Sequence, residues 1–274
     1  MPCSSPFAAA RPWPGSWSEE PPLSEVALPG PGPDWTAPWL ADYRGAGLAL
    51  QQRLEAGQTV AQALNALLDG LPADVQPRVR GQVLRFVPQS ALDEGPGYEA
   101  FIARKAAVPT REHWHDALNG LVWLRWPALK ARLNALHQQG LQTPQDEGRR
   151  GPLRDALTLF DENGAWLEAP PALCEALRAR DWRRLFIDRR SLWAEARMHL
   201  VGHALMEKLM QPRPPICAHV LLQDPLTLDA AAWAGKPFAP LPVLGVPGWW
   251  PANEEAGFYD DVRVFRPSPE PQCS

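Results

Sequence analysis

Residues 191–210 read SLWAEARMHLVGHALMEKLM. At about 100° per residue, Leu192, Ala196, Leu200 and Met210 fall on one side and Val201, Leu205 and Leu209 on the other. A stretch apolar nearly all round predicts one long helix at the centre of the fold. His199, His203 and Glu207 follow at i, i+4 and i+8 along the first side. Two imidazoles and a carboxylate one turn apart can hold zinc or iron. The glutamate between the histidines that marks a zincin helix is missing. His199, His203 and Glu207 are the candidate ligands of this spacing, and a divalent metal is the one cofactor the pattern suggests.

Outward from this stretch, ICAHVLL (216–222) reads as a short buried strand and LDAAAWAG (228–235) as a short helix. Upstream, ALTLF, DENG and AWLE (156–168) form a hairpin signal, because Asn163-Gly164 suits a two-residue type I′ turn. Pro170 opens a helix to Arg180, and DWRRLF carries another. Further back, Leu40, Tyr43, Leu48 and Leu54 give a helix that Gly57 breaks, and Thr59 to Leu68 a second. Gln82–Val87 reads as a strand, and Tyr98–Val108 as a second strand or extended segment. Thr110 can cap a helix running through HWHDALNGLVWLRW, and Pro127 opens ALKARLNALHQQ, which Gly140 ends. QTPQDEGRRG is a polar loop, and residues from Pro237 to FYDDVRVFRP form a proline-pinned coil wrapping the domain. Together these predict an α+β fold, mostly helical, with a small antiparallel sheet and the central helix 191–210. Residues 1–36 are expected to be a proline-rich irregular tail, 37–266 one globular domain, and 267–274 a C-terminal tail.

Composition narrows the function classes. The chain has 274 residues, 45% hydrophobic and 21% charged, enough for a continuous core without disulfides. Its 32 prolines and 20 glycines disfavour coiled coils and large regular sheets. Four lysines leave arginine as nearly all of the 27 basic residues, a bias that a GC-rich genome also produces. A net charge of −4 argues against a general nucleic-acid or anionic-membrane binder. Cys3, Cys174, Cys217 and Cys273 show no pairing by spacing and no secretion signal accompanies them, so free thiols in a reducing, cytoplasmic compartment are expected. The longest uncharged stretch, Pro237 to Asn253, is broken by five prolines and cannot be a lipid-embedded helix. A soluble protein is expected.

Chemistry could reside on helix 111–125. With His115 as zero, Arg111 falls at about −40°, Asn119 at about +40° and Val122 at about −20°. Polar residues on an inward face need partners, at a cost of about 1–3 kcal/mol each if they lack them. Either His115 acts as acid, base or ligand in a pocket wall, with Arg111 and Asn119 orienting a substrate, or the same groups form a satisfied core network. His219 and Cys217 share a strand face. Asp155 and Asp161 flank ALTLF, where a turn acid often only bonds its own backbone. Arginines from Arg178 to Arg190, interrupted by Asp181 and Asp188, read as a solvated helix surface with ion pairs.

Several runs together resemble the family called domain of unknown function 3025. They are VPTREHWHDALNGLVWLRWPALKARLNALH, RDALTLFDENGAWL, GHALMEKL, ICAHVLL and LGVPGWWPANEEAGFYDDVRVFRP, in that order over roughly residues 38 to 267. The resemblance implies a bacterial protein and no particular reaction. Members often carry a transmembrane label, which the proline spacing disputes here. His115, Asp116, Asn119, Asp155, Asp161, His203, Glu207 and His219 stand on its motifs, whereas His199 departs from the apolar residue usual there, so the resemblance leaves His203 and Glu207 as the metal candidates.

Two functions remain open at this level. One is a small-molecule hydrolase or lyase, metal-assisted or not, with His115, Asp116, Asn119, Asp155, His203 and His219 as catalytic or orienting groups and Arg111 and Arg154 holding substrate. The other is a non-catalytic interaction or structural domain whose buried polar groups fix the core and whose tryptophans meet a protein partner.

Overall fold

A computed structural model describes residues 30–93, 95, 97–142 and 151–267. Helix accounts for 54% and strand for 13%, so the α+β, mostly helical class holds. The proline-rich tail before residue 30, the QTPQDEGRRG loop and the C-terminal tail lie wholly or almost wholly outside the described residues. The described residues group into two compact units. The first contains Trp35 and Asp42–Arg154, the second Thr36–Ala41 and Asp155 onward.

The first unit opens with α1 (Arg44–Glu55) and α2 (Val60–Asp69). Thr59 starts α2 with a full capping box, accepting from Gln62 N while Gln62 accepts from Thr59 N. Short strands follow: β1 (Arg78–Val79), β2 (Gln82–Val83) and β3 (Arg85–Pro88). Asn65 on α2 acts as a side-chain strand, donating to Phe86 O at 2.8 Å and accepting from Phe86 N at 3.0 Å. Tyr98–Lys105 is a helix, α3, and only Ala107–Thr110 is a strand, β4, parallel to β3. Three consecutive buried residues, Phe101, Ile102 and Ala103, break any strand alternation, while Glu99 at one end and Arg104-Lys105 at the other complement a helix dipole. Thr110 is no cap. It ends β4, kept extended by the Val108-Pro109 step, and α4 (Trp114–Arg125) starts from His113, whose Nδ1 accepts from His115 N. Helix α5 (Pro127–Gln142) runs through Gly140 rather than ending there. The Arg154 stem fills the space a side chain on Gly140 would occupy. Gly120 lets α4 press onto α2, since a Cβ there would sit 2.2 Å from Leu64.

The second unit overturns the two strongest secondary-structure expectations. ALTLF is not a strand, and there is no 156–168 hairpin: Pro152–Asn163 is helix α6 and Gly164–Glu168 is strand β5. Buried Ala156, Leu157 and Phe160 have helical spacing, and Pro152 with Asp155 supplies a helix start, so the Asn-Gly pair joins helix to strand instead. Nor is 191–210 one helix. It divides into a 3₁₀ stretch (Arg190–Glu195), strand β6 (Arg197–Leu200) and the short helix α8 (His203–Lys208). Pairing with β5 wins over the apolar periodicity: Ala165 faces Leu200, and Gly164 O accepts from both Val201 N and Gly202 N. A helix interior would also have had to carry Gly202, at a cost of about 1 kcal/mol.

The remaining elements are α7 (Pro171–Ala179), a π-turn at Arg184–Asp188, β7 (Cys217–Leu221), α9 (Ala230–Ala234) and β8 (Ala239–Pro242). The sheet order is β6-β5-β7-β8. It is mixed rather than antiparallel, because β5 and β7 run parallel. Pro240 and Pro242 sit on its edge strand, where a missing N–H costs nothing to the ladder. The C-terminal segment is therefore part sheet, part 3₁₀ turns. Buried Asn253 donates to Leu244 O and Val246 O at 2.7 Å each, and Arg190 donates to Asn253 O and Tyr259 Oη. Phe186 stacks on Trp193 and Tyr259 and meets Phe265 edge-on, forming the unit's aromatic core. Among the described residues no helix is long and apolar enough to cross a membrane.

Candidate functional site

In the first unit, the polar residues of α4 point to packing. Asn119 is buried, donates to Tyr98 Oη at 3.0 Å and accepts from Lys130 Nζ at 2.9 Å. Lys130 is itself 4% exposed and lies over the Trp123 ring. Asn134, one turn further along α5, donates to Glu99 O and Oε2. Asn119→Leu would deprive both Lys130 and Tyr98 of a partner. We expect a loss of about 1–3 kcal/mol in denaturant unfolding, with most of it recovered when Lys130→Met is combined with it.

Arg111 precedes α4 rather than lying on its inward face. It reaches Asp116, donating from its backbone N at 2.7 Å, Nε at 3.0 Å and Nη2 at 2.8 Å. Burial of the Asp116 carboxyl works to raise its pKa, but these bonds outweigh it and hold the group below its ordinary value. A depressed carboxylate pKa stabilises the fold above the unfolded value near 3.8, and that contribution is lost as pH falls through the lower folded value. Asp116→Asn should therefore lower Tm at pH 7 and match the parent once the pH is below both pKa values. His115, in the first turn of α4, is half-buried.

In the second unit, His203 is 4% exposed and starts α8. The end of α6 brings a carboxylate to each side of its ring: Asp161 Oδ2 lies 3.9 Å from Nδ1 and Glu162 Oε2 3.6 Å from Nε2. Two glycines enforce this approach. A Cβ on Gly202 would fall 2.5 Å from Gly164 N and 2.6 Å from Asn163 Cα and Glu162 O; one on Gly164 would fall 2.3 Å from Phe160 O. Lys208 Nζ ties the end of α8 to Asn163 Oδ1 at 2.6 Å. Glu207 lies one turn on from His203 in the same short helix.

The other candidates separate. His199 is not on a helix with His203; it pairs with Trp166 across β6 and β5, its Nε2 3.4 Å from Glu168 Oε2. His219 on β7 pairs with Gly164 and Pro240 and packs its ring on Phe238. Burial, and then Lys208 and Lys236, push its pKa below the ordinary imidazole value. Asp155, at the start of α6 and 45% exposed, lies 3.8 Å from Lys236. The sequence places Asp161 and Glu162 in a hairpin turn, where an acid often only bonds its own backbone, so Glu162 was not among the site candidates. Reading α6 as a helix would have put Asp161 and Glu162 together at its end. The buried Lys130 had no pattern to mark it.

The family model described as "Protein of unknown function (DUF3025)" matches residues 84–228 and 221–269. No curated protein and no solved structure matches the chain. With well over half its length matched, in the motifs that carry α4, α6, β5, α8 and β7, the chain belongs to the DUF3025 family of proteins of unknown function.

Proposed function

We propose that this chain is a hydrolase or lyase for small polar substrates, with His203 at its centre and a divalent cation as its aid. The observation that supports this reading is a buried imidazole with a carboxylate beside each nitrogen. Ligand atoms bound to one zinc-like ion at about 2.1 Å stand about 3.4 Å apart. The 3.6 Å between His203 Nε2 and Glu162 Oε2 suits two ligands of one ion. Asp161 stands on the Nδ1 side, where metal-bound histidines customarily donate to a carboxylate that fixes their tautomer. A cation held there would lower the pKa of a bound water and polarise a substrate oxygen. His219, paired with Gly164 in the sheet and held below the ordinary imidazole pKa by burial and then by Lys208 and Lys236, is the base this reading assigns. Free Cys174 and Cys217 fit the cytoplasm.

For Asp116 and Asn119 the observations favour the other role, a core network that specifies the fold, because their polar groups face partners within the first unit. Thermal unfolding with zinc or manganese and with chelator tests the cation reading. At a hundredfold excess over Kd a cation bound only to the folded chain adds about 2.7 kcal/mol. A Tm raised by several degrees in the parent and unchanged in Glu162→Gln is expected. No shift with either metal would overturn the reading.

A further inference from the structure

A cleft of about 400 Å³ opens in the second unit between the end of α7, the turn after β7 and the entry to β8. Three cations line it, Arg178, Arg180 and Lys236, together with Gln223, and no acidic side chain does. Its apolar walls include Leu222, Pro237 and Phe238. Among the described residues no carboxylate or carbonyl accepts from either guanidinium, while Lys236 is partly offset by Asp155 at 3.8 Å. The cleft thus presents close to two uncompensated positive charges beside an apolar wall.

Two of the three cations also have an unusual backbone, shared in the described residues by Arg80 and Ala106. Arg180 and Lys236 have φ of 52° and 51°, the left-handed region in which glycine is the default residue after a helix. Cations near a helix C-terminus gain from its dipole. That accounts for basic residues at the ends of α7 and α9, but not for their convergence on one cavity or for arginine in place of glycine at the left-handed cap of α7. Residues held in a costly conformation by their surroundings cluster where a side chain has a task.

We propose that this cleft binds a small organic phosphate, with the Arg178 and Arg180 guanidinium groups clamping the phosphate, Lys236 adding charge, and Phe238 with Leu222 covering the organic part. A phosphomonoester carries about −1.5 to −2 charge at pH 7, which matches the uncompensated charge here. Arginine forks meet phosphate oxygens bidentately, the strongest form of such a contact. The proposal does not rest on the His203 cation reading, although Phe238 of the cleft also packs on the His219 ring.

The test is calorimetric titration of the full chain with inorganic phosphate and with phenyl phosphate at fixed ionic strength. Saturable binding of both is expected, tighter for phenyl phosphate. Arg180→Gly should weaken it about tenfold or more while its Tm stays at or above that of the parent, because glycine relieves the left-handed backbone. Arg178→Gln should weaken it similarly. Absence of saturable phosphate binding by the parent would overturn the proposal, and so would undiminished affinity in both variants.

Discussion

Gly202→Ala should unfold about 5–10 °C below the parent and should lose its response to added cation. The new methyl would land 2.5–2.6 Å from Gly164 N, Asn163 Cα and Glu162 O, all backbone, so no flexible side chain can yield. Overpacking of this kind costs about 1–3 kcal/mol and sometimes more. For a chain of this size each kcal/mol moves Tm by about 2–4 °C. Relief can come only by moving β6 and α8 away from β5. That motion breaks the bonds from Val201 N and Gly202 N to Gly164 O, at 3.1 and 2.8 Å, and carries His203 away from Glu162. Gly257→Ala is the control. Its methyl would meet only Asp260 Oδ2 at 3.9 Å, and it should leave Tm within a degree or two. Equal melting of the two variants would show that the close seam at Gly202 does not govern the unit.

His203→Gln carries the largest expected functional effect. Loss of a direct ligand should cut cation affinity more than the 10–100-fold typical of outer-shell partners, so the zinc-induced rise in Tm should vanish at concentrations that saturate the parent. Asp161→Asn should fall in that 10–100-fold range, because it touches the ion only through the ring. Without metal, His203→Gln should cost about 1–3 kcal/mol for disturbing a buried polar group. Competition with a colourimetric chelator measures the affinities directly. An undiminished zinc affinity in His203→Gln would remove the ring from the cation site.

The class of fold was legible in the sequence, and so were several helices of the first unit, because their signals are local: the apolar spacing from Leu40 to Leu54, the break at Gly57, Pro127 at a helix start. The sequence misled where a long-range pairing competes with a local pattern. Residues 191–210 satisfy a helical wheel, yet β5 offers Arg197–Leu200 a ladder that a wheel cannot register. The same holds for Asn163-Gly164, whose turn preference is real but whose flanks are a helix and a strand. His203 was singled out correctly as buried, for a reason that failed: no long helix surrounds it. Glu162 and the Arg178–Lys236 cleft depend on residues far apart in sequence meeting in space, and neither has a spacing that announces it.

The aromatic core around Phe186 also sets an order of assembly. Trp182 donates its indole N–H to Arg266 O at 2.8 Å, and Phe186 packs on Tyr259 and Phe265, so this core closes over separations of some seventy to eighty residues. A chain emerging from the ribosome can satisfy the first unit's helices as soon as Arg154 has cleared the tunnel. The second unit must wait until residues 259–266 are out, with Phe186, Trp193 and the parallel β5–β7 pair meanwhile exposed. Parallel pairing of this kind forms slowly and is open to misassociation while it waits. Production yield should therefore depend on translation speed and chaperone supply while this stretch is made, and substitutions at Tyr259 or Phe265 should appear first as aggregation during synthesis.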